Sequence, residues 1–593
     1  MIGTYAAVLA VCGASLATGQ AAIGLCGARR WSWLSPAVGL ALLCALCWGT
    51  VRLGGDGVVA AISVALVAVA AVAYLRGRQE GGAEALRAGW PVALIALLAA
   101  SLPFAVEGHF GILGTSFNPD MSQHLLATDR LAHGHGSQLL HQGYPLGPHA
   151  IVVALNKGLG VGLVQGFSGL TVAVAILAPL TALATFSNLK PIPRIAGALV
   201  VGLAYMVASY FAQGAFKETM QALFVLAFAL ALRESTRSWR DLPLRFVPAA
   251  LVAVGSVYTY SFPGLIWLAG ATVIWMALEY AMGRRWPSPQ SILLAILAFA
   301  VLVAPEIGRM IDFKNFETFD PDGPGLGNLF GQISPFEALG IWPSGDFRLA
   351  PGDGAVPAVG YYLGAAFGLV LLLYGIVRCW RRREAAILAG LATVALAYAA
   401  GRIAGTPYAS AKAIEIAAPL AALTILLPLL NRAEMSFLVA RGPKSSSRRA
   451  GALAATAFVF AAGVCSVLAL ANAPVGPTSY SPALTGLRPL IAADSTLVLA
   501  SDELLADEYG VPYISWELRG GRVCIAAEGE LDDPPPGVRF VVTRGAVVQP
   551  PFPGLRVRRI APPYVLWEST RSVRGQSPCP LIAVRQARQG AER

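Results

Sequence analysis

Apolar runs of about 20 residues recur along the chain, separated by short polar stretches, which is the pattern of membrane-spanning helices. The runs at 5–27, 31–51, 57–75, 90–106, 163–187, 193–212, 216–233, 246–262, 264–281, 289–308, 357–377, 384–401, 412–430 and 450–472 predict about fourteen spans. Basic clusters fall in every second loop: Arg29/Arg30, Arg76/Arg78/Arg87, Lys190/Arg194, Arg233/Arg237/Arg240/Arg245, Arg284/Arg285, Arg378/Arg381/Arg382/Arg383 and Arg432/Arg441/Lys444/Arg448/Arg449. Positive charge marks cytoplasmic loops. The stretch 107–162, the loops 309–356 and 402–411, and the tail after 472 are therefore expected on the outward face. The segment 149–162, interrupted by Asn156, Lys157 and several glycines, is expected to lie as a helix along the outer surface.

This pattern divides the chain into additional spans (1–89), a membrane core (90–472) and a C-terminal segment (473–593). The last alternates short β-like runs, TLVLA, RFVVTR and YVLWES, with turn-rich pieces. The expected fold is an all-α polytopic membrane protein with a small C-terminal extracytoplasmic α/β domain, ending in a disordered Gln/Arg-rich stretch. Composition agrees: charged residues make up 13%, against about 25% in soluble proteins. The net charge of +11 sits in the loop clusters, so it signals topology and not nucleic-acid binding. The cytoplasmic loops hold no Walker loop, GxGxxG or carboxylate cluster, which argues against nucleotide-driven chemistry there. The first span lacks the basic flank of a signal peptide and is expected to be retained. Six of the eight cysteines lie in or beside spans as packing residues. Cys524 and Cys579 lie in the C-terminal segment, where an extracytoplasmic location would let them pair.

All six histidines fall between Gly108 and Ala150. A polar loop of this length between spans is longer than a compact connection needs, about 4–6 residues. In NPDMSQHLLATDRLAHGH, Asn118 suits an N-cap, Pro119 the first helical position and Asp120 the first turn. Met121, Leu125 and Leu131 give the helix an apolar stripe for the membrane surface. Asp120 and His124, four apart, share a face. A carboxylate at the water–membrane boundary can take a proton from a sugar hydroxyl; the alternative is that Asp120 only complements the helix dipole, by about 0.3–1 kcal/mol. His133, His135 and His141 with His124 offer metal ligands, or are ordinary solvated histidines. In YPLGPH, two prolines and a glycine set a tight turn that carries Tyr144 and His149 to one rim.

The carboxylate in a long outward loop, followed by this YPxGxH-like turn, resembles the GT-C class of membrane glycosyltransferases, with actinobacterial arabinofuranosyltransferase-like and mannosyltransferase-like members the nearest. The resemblance covers 90–472 in span layout and 118–149 closely. It implies sugar transfer from a polyprenyl-phospho-sugar donor to a cell-envelope glycan, lipid or protein acceptor at the outer face of the plasma membrane. It further implies Asp120 as general base and His124 and His149 as hydrogen-bonding partners of donor or acceptor. The chain departs from that layout in carrying about three extra spans before the loop and in showing no clear DD or DE pair in the outward loops 107–162 and 309–356. No cofactor is required, though a divalent cation is compatible with the site.

A lipid phosphate needs cations. Of six lysines, Lys157, Lys217, Lys314 and Lys412 face outward in this topology, against the positive-inside bias. Lys217 and Lys412, with Arg309 and Arg402, are candidates to hold the phosphate; snorkelling to the headgroups is the alternative for each. Tyr408, Lys412 and Glu415 follow one another at helix spacing at the mouth of a span, and Glu415 is expected to pair with a basic neighbour. Tyr258 and Tyr260 are read as an interfacial aromatic belt. The competing functions are a transporter or flippase of lipid-linked sugars, which would place polar groups near the midplane on broken helices, and a ligase of lipid-linked glycans.

Overall fold

A computed structural model describes residues 1–570 except 119, 135–136, 284–286, 315–324, 355, 439–444, 492–493, 507–509 and 546–548; the side chains of 138 and 432–449 are likewise outside the description. Pro119, His135, Cys579, Arg284 and Arg285, and the Gln/Arg-rich tail therefore lie outside the described residues. By contact density the chain forms two units. One comprises Met1–Asn118 with Leu131–Val475, and the other Pro119–Arg130 with Gly476–Arg593.

The first unit is helical. Among the described residues, ten helices are long and apolar enough to cross a membrane. The difference from about fourteen has local causes. The runs 246–262 and 264–281 form one helix, Val247–Ala281, interrupted at Ser261. The run 193–212 breaks into Pro191–Gly202 and Tyr205–Ala212, bent by 53°. Ser35–Val51 has only 17 residues, and Phe216–Thr236 carries charged residues at both ends. Pro407–Asn431 and Leu163–Phe186, 100% and 89% buried, form the centre, whereas Val58–Leu75 and Pro289–Phe313, 11% and 17% buried, present their sides to lipid. Small residues allow the closest crossing. A Cβ on Gly39 would stand 1.7 Å from the Ser15 carbonyl oxygen, and one on Gly19 2.0 Å from that of Ser35, so the two backbones touch with no side chain between.

The helix Gly147–Leu159 does not lie on the surface. Residues 147–155 are all buried, packed among helices Ser35–Val51, Val58–Leu75 and Leu163–Phe186. Its apolar run AIVVAL outweighs the polar interruptions, which fall in its last turns.

The second unit holds a five-stranded sheet, β1 (Ser495–Ala500), β2 (Arg522–Ala527), β3 (Phe540–Arg544), β4 (Leu555–Ala561) and β5 (Tyr564–Ser569), in the order β2-β1-β3-β5-β4. β1 pairs parallel with both β2 and β3, and β5 is antiparallel to β3 and β4. All six residues of β1 are buried, as expected of a parallel strand covered on both faces. One face packs Val498, Phe540, Val542 and Leu566 on Leu484, Ile514 and Leu518; the other packs Leu497, Val541, Val565 and Trp567 with Phe552. Cys524, on β2, is disulfide-bonded, while the six cysteines of the first unit are free thiols.

Candidate functional site

In the first unit, the turn before His149 is held by its neighbours. Gly143 has φ 69°, and a Cβ there would meet the Arg309 carbonyl oxygen at 2.2 Å, so glycine is required. The Arg309 guanidinium donates to the carbonyls of Tyr144 (2.5 Å) and Leu140 (3.0 Å). It also lies over Trp48, at 4.7 Å, and 3.3 Å from Glu306. Arg309 therefore braces the turn.

The turn presents the Tyr144 ring to Lys217, whose Nζ sits 4.0 Å from the ring centroid. Lys217 is the second residue of helix Phe216–Thr236. Tyr260 stands between the two lysines, its ring centroid 6.0 Å from Lys217 Nζ and 5.9 Å from Lys412 Nζ. Lys412 lies over Tyr408 at 4.1 Å, one turn apart on helix Pro407–Leu438, and bonds Glu218 Oε1 at 3.1 Å. Two ammonium groups seated on three tyrosine rings gain cation–π attraction that strengthens as water is excluded. Tyr260 thus belongs to this cluster and not to an interfacial belt; Tyr258 is buried, its hydroxyl donating to the Leu302 carbonyl at 2.7 Å.

Tyr260 reaches this position because its helix breaks beside it. Ser261 has φ 57° and ψ −151°, a region nearly reserved for glycine, and Pro263 removes a backbone donor two residues on. Gln221 bridges the break, donating to the Gly264 carbonyl (3.3 Å) and accepting from Ser256 (2.8 Å). Such side chains restore the bonding that a broken helix gives up inside a membrane.

Glu415 was expected to pair with a cation, but Lys412 gives its ammonium to Glu218. Glu415 is fully buried, and neither carboxylate oxygen has a hydrogen-bond partner among the described residues. The Tyr210 hydroxyl is in the same condition. Arg402 is exposed on the last turn of helix Ala385–Ala404 and makes no described contact with the cluster. His149 is fully buried, its ring edge-on to Phe167 (5.5 Å), Phe216 (5.6 Å) and Tyr144 (6.2 Å). It lies outside the ten spanning helices, and burial pushes its imidazole pKa down to about 3. It is a neutral packing element of the turn at any physiological pH.

Phe262 meets Phe313 edge-on (6.1 Å), and Phe313 meets Tyr144 edge-on (5.7 Å). Phe262 is also a wall of an apolar groove of about 520 Å³, lined by Leu265, Phe299, Val303, Ile307 and Met310 among others, with Lys314 its one charged residue among the described lining. The groove runs along the lipid-exposed helix Pro289–Val303.

Asp120 and His124 belong to the second unit. Helix Met121–Ala132 starts two residues later than expected, so the Asp120 carbonyl accepts from the amides of Gln123 (3.0 Å) and His124 (3.3 Å), which makes Asp120 the N-cap. Asp129 stands 3.8 Å from Arg519. The Arg519 guanidinium lies 3.4 Å from the Trp516 ring centroid, and burial pushes its pKa down to about 10. Burial, then Glu517 and Asp120, raise the Tyr480 phenol. His124 is buried, and its carbonyl accepts from Thr128 at 2.7 Å. His133 and His141 are exposed. Among the described residues no three His, Cys, Asp or Glu side chains converge at metal-binding distance.

The sequence reading missed Glu218, Tyr210 and Tyr480, and gave Tyr260 only a place in an aromatic belt. For Glu218 a signal existed: a Lys-Glu pair opening an otherwise apolar span is anomalous.

No protein-family model matches the chain, and no curated protein matches it. Among solved structures it is similar to the archaeal oligosaccharyltransferase AglB from Archaeoglobus fulgidus, determined with an inhibitory peptide and a dolichol-phosphate. The identity is 13%, the match covers 85% of this chain and 65% of that one, and the TM-score is 0.26. A likeness this slight carries no argument about activity.

Proposed function

We propose that the protein is an integral-membrane glycosyltransferase of GT-C type, moving a sugar from a polyprenyl-phospho-sugar to a cell-envelope acceptor (glycan, lipid or protein) at the outer membrane face. The observation that carries this reading is the continuity, within one unit, of an apolar lipid-facing groove with the tyrosine-seated lysines through Phe262, Phe313 and Tyr144. A long apolar chain ending in a phosphate matches that sequence of surfaces: the chain in the groove, the anion at Lys217 and Lys412.

In this reading the Asp120 carboxylate takes the proton of the acceptor hydroxyl as its oxygen bonds the anomeric carbon. The bond from that carbon to the phosphate oxygen breaks, its electron pair leaves with the lipid phosphate, and the ammonium groups stabilise the charge that develops there. Glu415 and Tyr210, buried with open hydrogen-bonding capacity, are suited to the sugar hydroxyls.

The test is transfer from a radiolabelled panel of polyprenyl-phospho-sugars in membranes expressing wild type, Asp120→Asn and Lys217→Gln at matched levels. Transfer by wild type, abolished in Asp120→Asn and weakened for donor in Lys217→Gln, is expected. Equal transfer by wild type and Asp120→Asn would remove Asp120 from the chemistry.

A second reading is favoured by the broken helices. The break at Ser261 and the 53° bend between Pro191–Gly202 and Tyr205–Ala212 are features that transporters use at their binding sites. A flippase would move the lipid-linked sugar across liposomes without forming a new glycosidic bond, so the same panel, read for translocation, separates the two.

A further inference from the structure

The second unit has a cleft of its own. In its sheet, β1 lies between two parallel partners, and the chain passes from β2 back across β1 to β3. Connections leaving in opposite directions open a crevice at the carboxyl ends of such strands, which is where α/β sheets take their ligands. A cavity of about 280 Å³ occupies that place. Ser501 follows β1, Glu528 follows β2, Arg544 closes β3, and Tyr564 opens β5 directly opposite Arg544. Glu503 joins the polar rim, while Leu484, Leu504 and Ile514 help form an apolar wall. That wall is set by a tight approach: a Cβ on Gly510 would stand 1.8 Å from the Leu504 carbonyl oxygen.

We infer that this cleft binds a neutral saccharide residue. Among the described residues, two carboxylates against one guanidinium leave the rim net negative, which disfavours phosphates and nucleotides. Carboxylates accept from hydroxyl groups, the guanidinium donates to sugar oxygens, and the tyrosine ring and aliphatic wall suit the apolar face of a sugar. The volume, about 280 Å³, falls just below the usual range of small-ligand sites, about 300–1,000 Å³, so it fits one or two sugar units and no more.

Within the same unit, one helix links the cleft to the Asp120 helix. Ile514 lies on helix Gly510–Glu517; the chain leaving that helix carries Arg519, which stands 3.8 Å from Asp129. Glu517, fully buried, fixes this end by accepting from the Tyr480 amide (3.1 Å) and from Thr485. A saccharide in the cleft is thus held by the element that holds the Asp120 helix. That it is the acceptor of the transfer reaction rests on the function proposed above; that the cleft binds saccharide rests on its own chemistry.

The experiment is saturation-transfer NMR and calorimetry on the full chain in nanodiscs, with neutral di- to tetrasaccharides of arabinofuranose, mannose, glucose and galactose, and inorganic phosphate as the anionic probe. Wild type is expected to bind at least one oligosaccharide, with affinity reduced at least tenfold in Glu528→Gln and in Arg544→Ala, both rim residues at the surface, and unchanged in Arg558→Ala on the exposed side of β4. Phosphate is expected not to compete. Binding of no oligosaccharide by wild type, binding unmoved by both rim variants, or displacement by phosphate would each overturn the inference. The readout needs no turnover. Binding that persists in a chain unable to transfer from any donor would sink the transferase reading and leave the saccharide site standing.

Discussion

The Lys412–Glu218 pair allows stability and donor binding to be separated by mutation. The two charges are 3.1 Å apart with side-chain exposures of 17% and 7%, so each depends on the other for the solvation it has lost. Removing one partner of a buried pair destabilises by about 3–5 kcal/mol, whereas replacing both with neutral groups of similar volume is often close to neutral. Lys412→Met should therefore lower the unfolding free energy by roughly 3–5 kcal/mol, and Glu218→Gln/Lys412→Met should regain most of that loss. Donor binding should not recover. A charge-assisted hydrogen bond contributes about 1.5–3 kcal/mol, and each 1.4 kcal/mol is a factor of ten, so the double variant should show a donor KM raised by roughly 10- to 100-fold. Equilibrium unfolding in mixed micelles, followed by tryptophan fluorescence, measures the first quantity, and initial transfer rates against donor concentration the second. A single variant as stable as wild type would refute the buried pair. A double variant with wild-type donor KM would refute the placement of phosphate at Lys412.

Ser261→Gly should raise the thermal midpoint, because it relieves a backbone conformation that costs a non-glycine residue about 1–3 kcal/mol; an unchanged or lower midpoint would show that the break is not strained. Acid should destabilise the protein through His149. Its folded pKa of about 3 lies below the unfolded value of about 6.5, so the unfolded chain takes up the proton first. This contribution is complete above about pH 6.5, falls as pH drops, and is gone near pH 3; His149→Phe should flatten that part of the unfolding-versus-pH curve, and an identical slope in both proteins would contradict it. Gly143→Ala should force the turn off Arg309, with faster amide exchange at 139–146 and lost transfer activity. Wild-type exchange there would mean the turn has room that the geometry denies.

What was legible in the sequence followed from local pattern. Hydropathy placed the spans, helix spacing brought Tyr408 and Lys412 together, and strand-like runs marked the C-terminal sheet. What was hidden depends on distant partners. SFPG reads as the ordinary turn between two spans, yet the helix continues through it because Gln221, forty residues earlier in the chain, supplies the missing bonds. Gly147–Leu159 looked too polar to bury, because nothing local shows that three other helices enclose it. Tyr260 gains its role from two lysines on other helices. The helix of Asp120 read as a membrane-surface element because its apolar stripe fits either a lipid surface or a protein core, and its partners lie at the far end of the chain.

That last feature imposes an order on biosynthesis. Residues 119–130 and the segment from Gly476 onward form one unit, separated by roughly 350 residues of helical core. At about 5–20 residues per second of synthesis, the ribosome takes roughly 20–70 s to supply the partner after the Asp120 segment has emerged. Through that interval most of the membrane helices can insert and pack, while the carboxylate that the proposed chemistry needs waits on a loop with no core to fold against. The finished chain therefore acquires its proposed base last, and a product truncated before the sheet is expected to sit in the membrane as a largely assembled bundle without the proposed transfer activity.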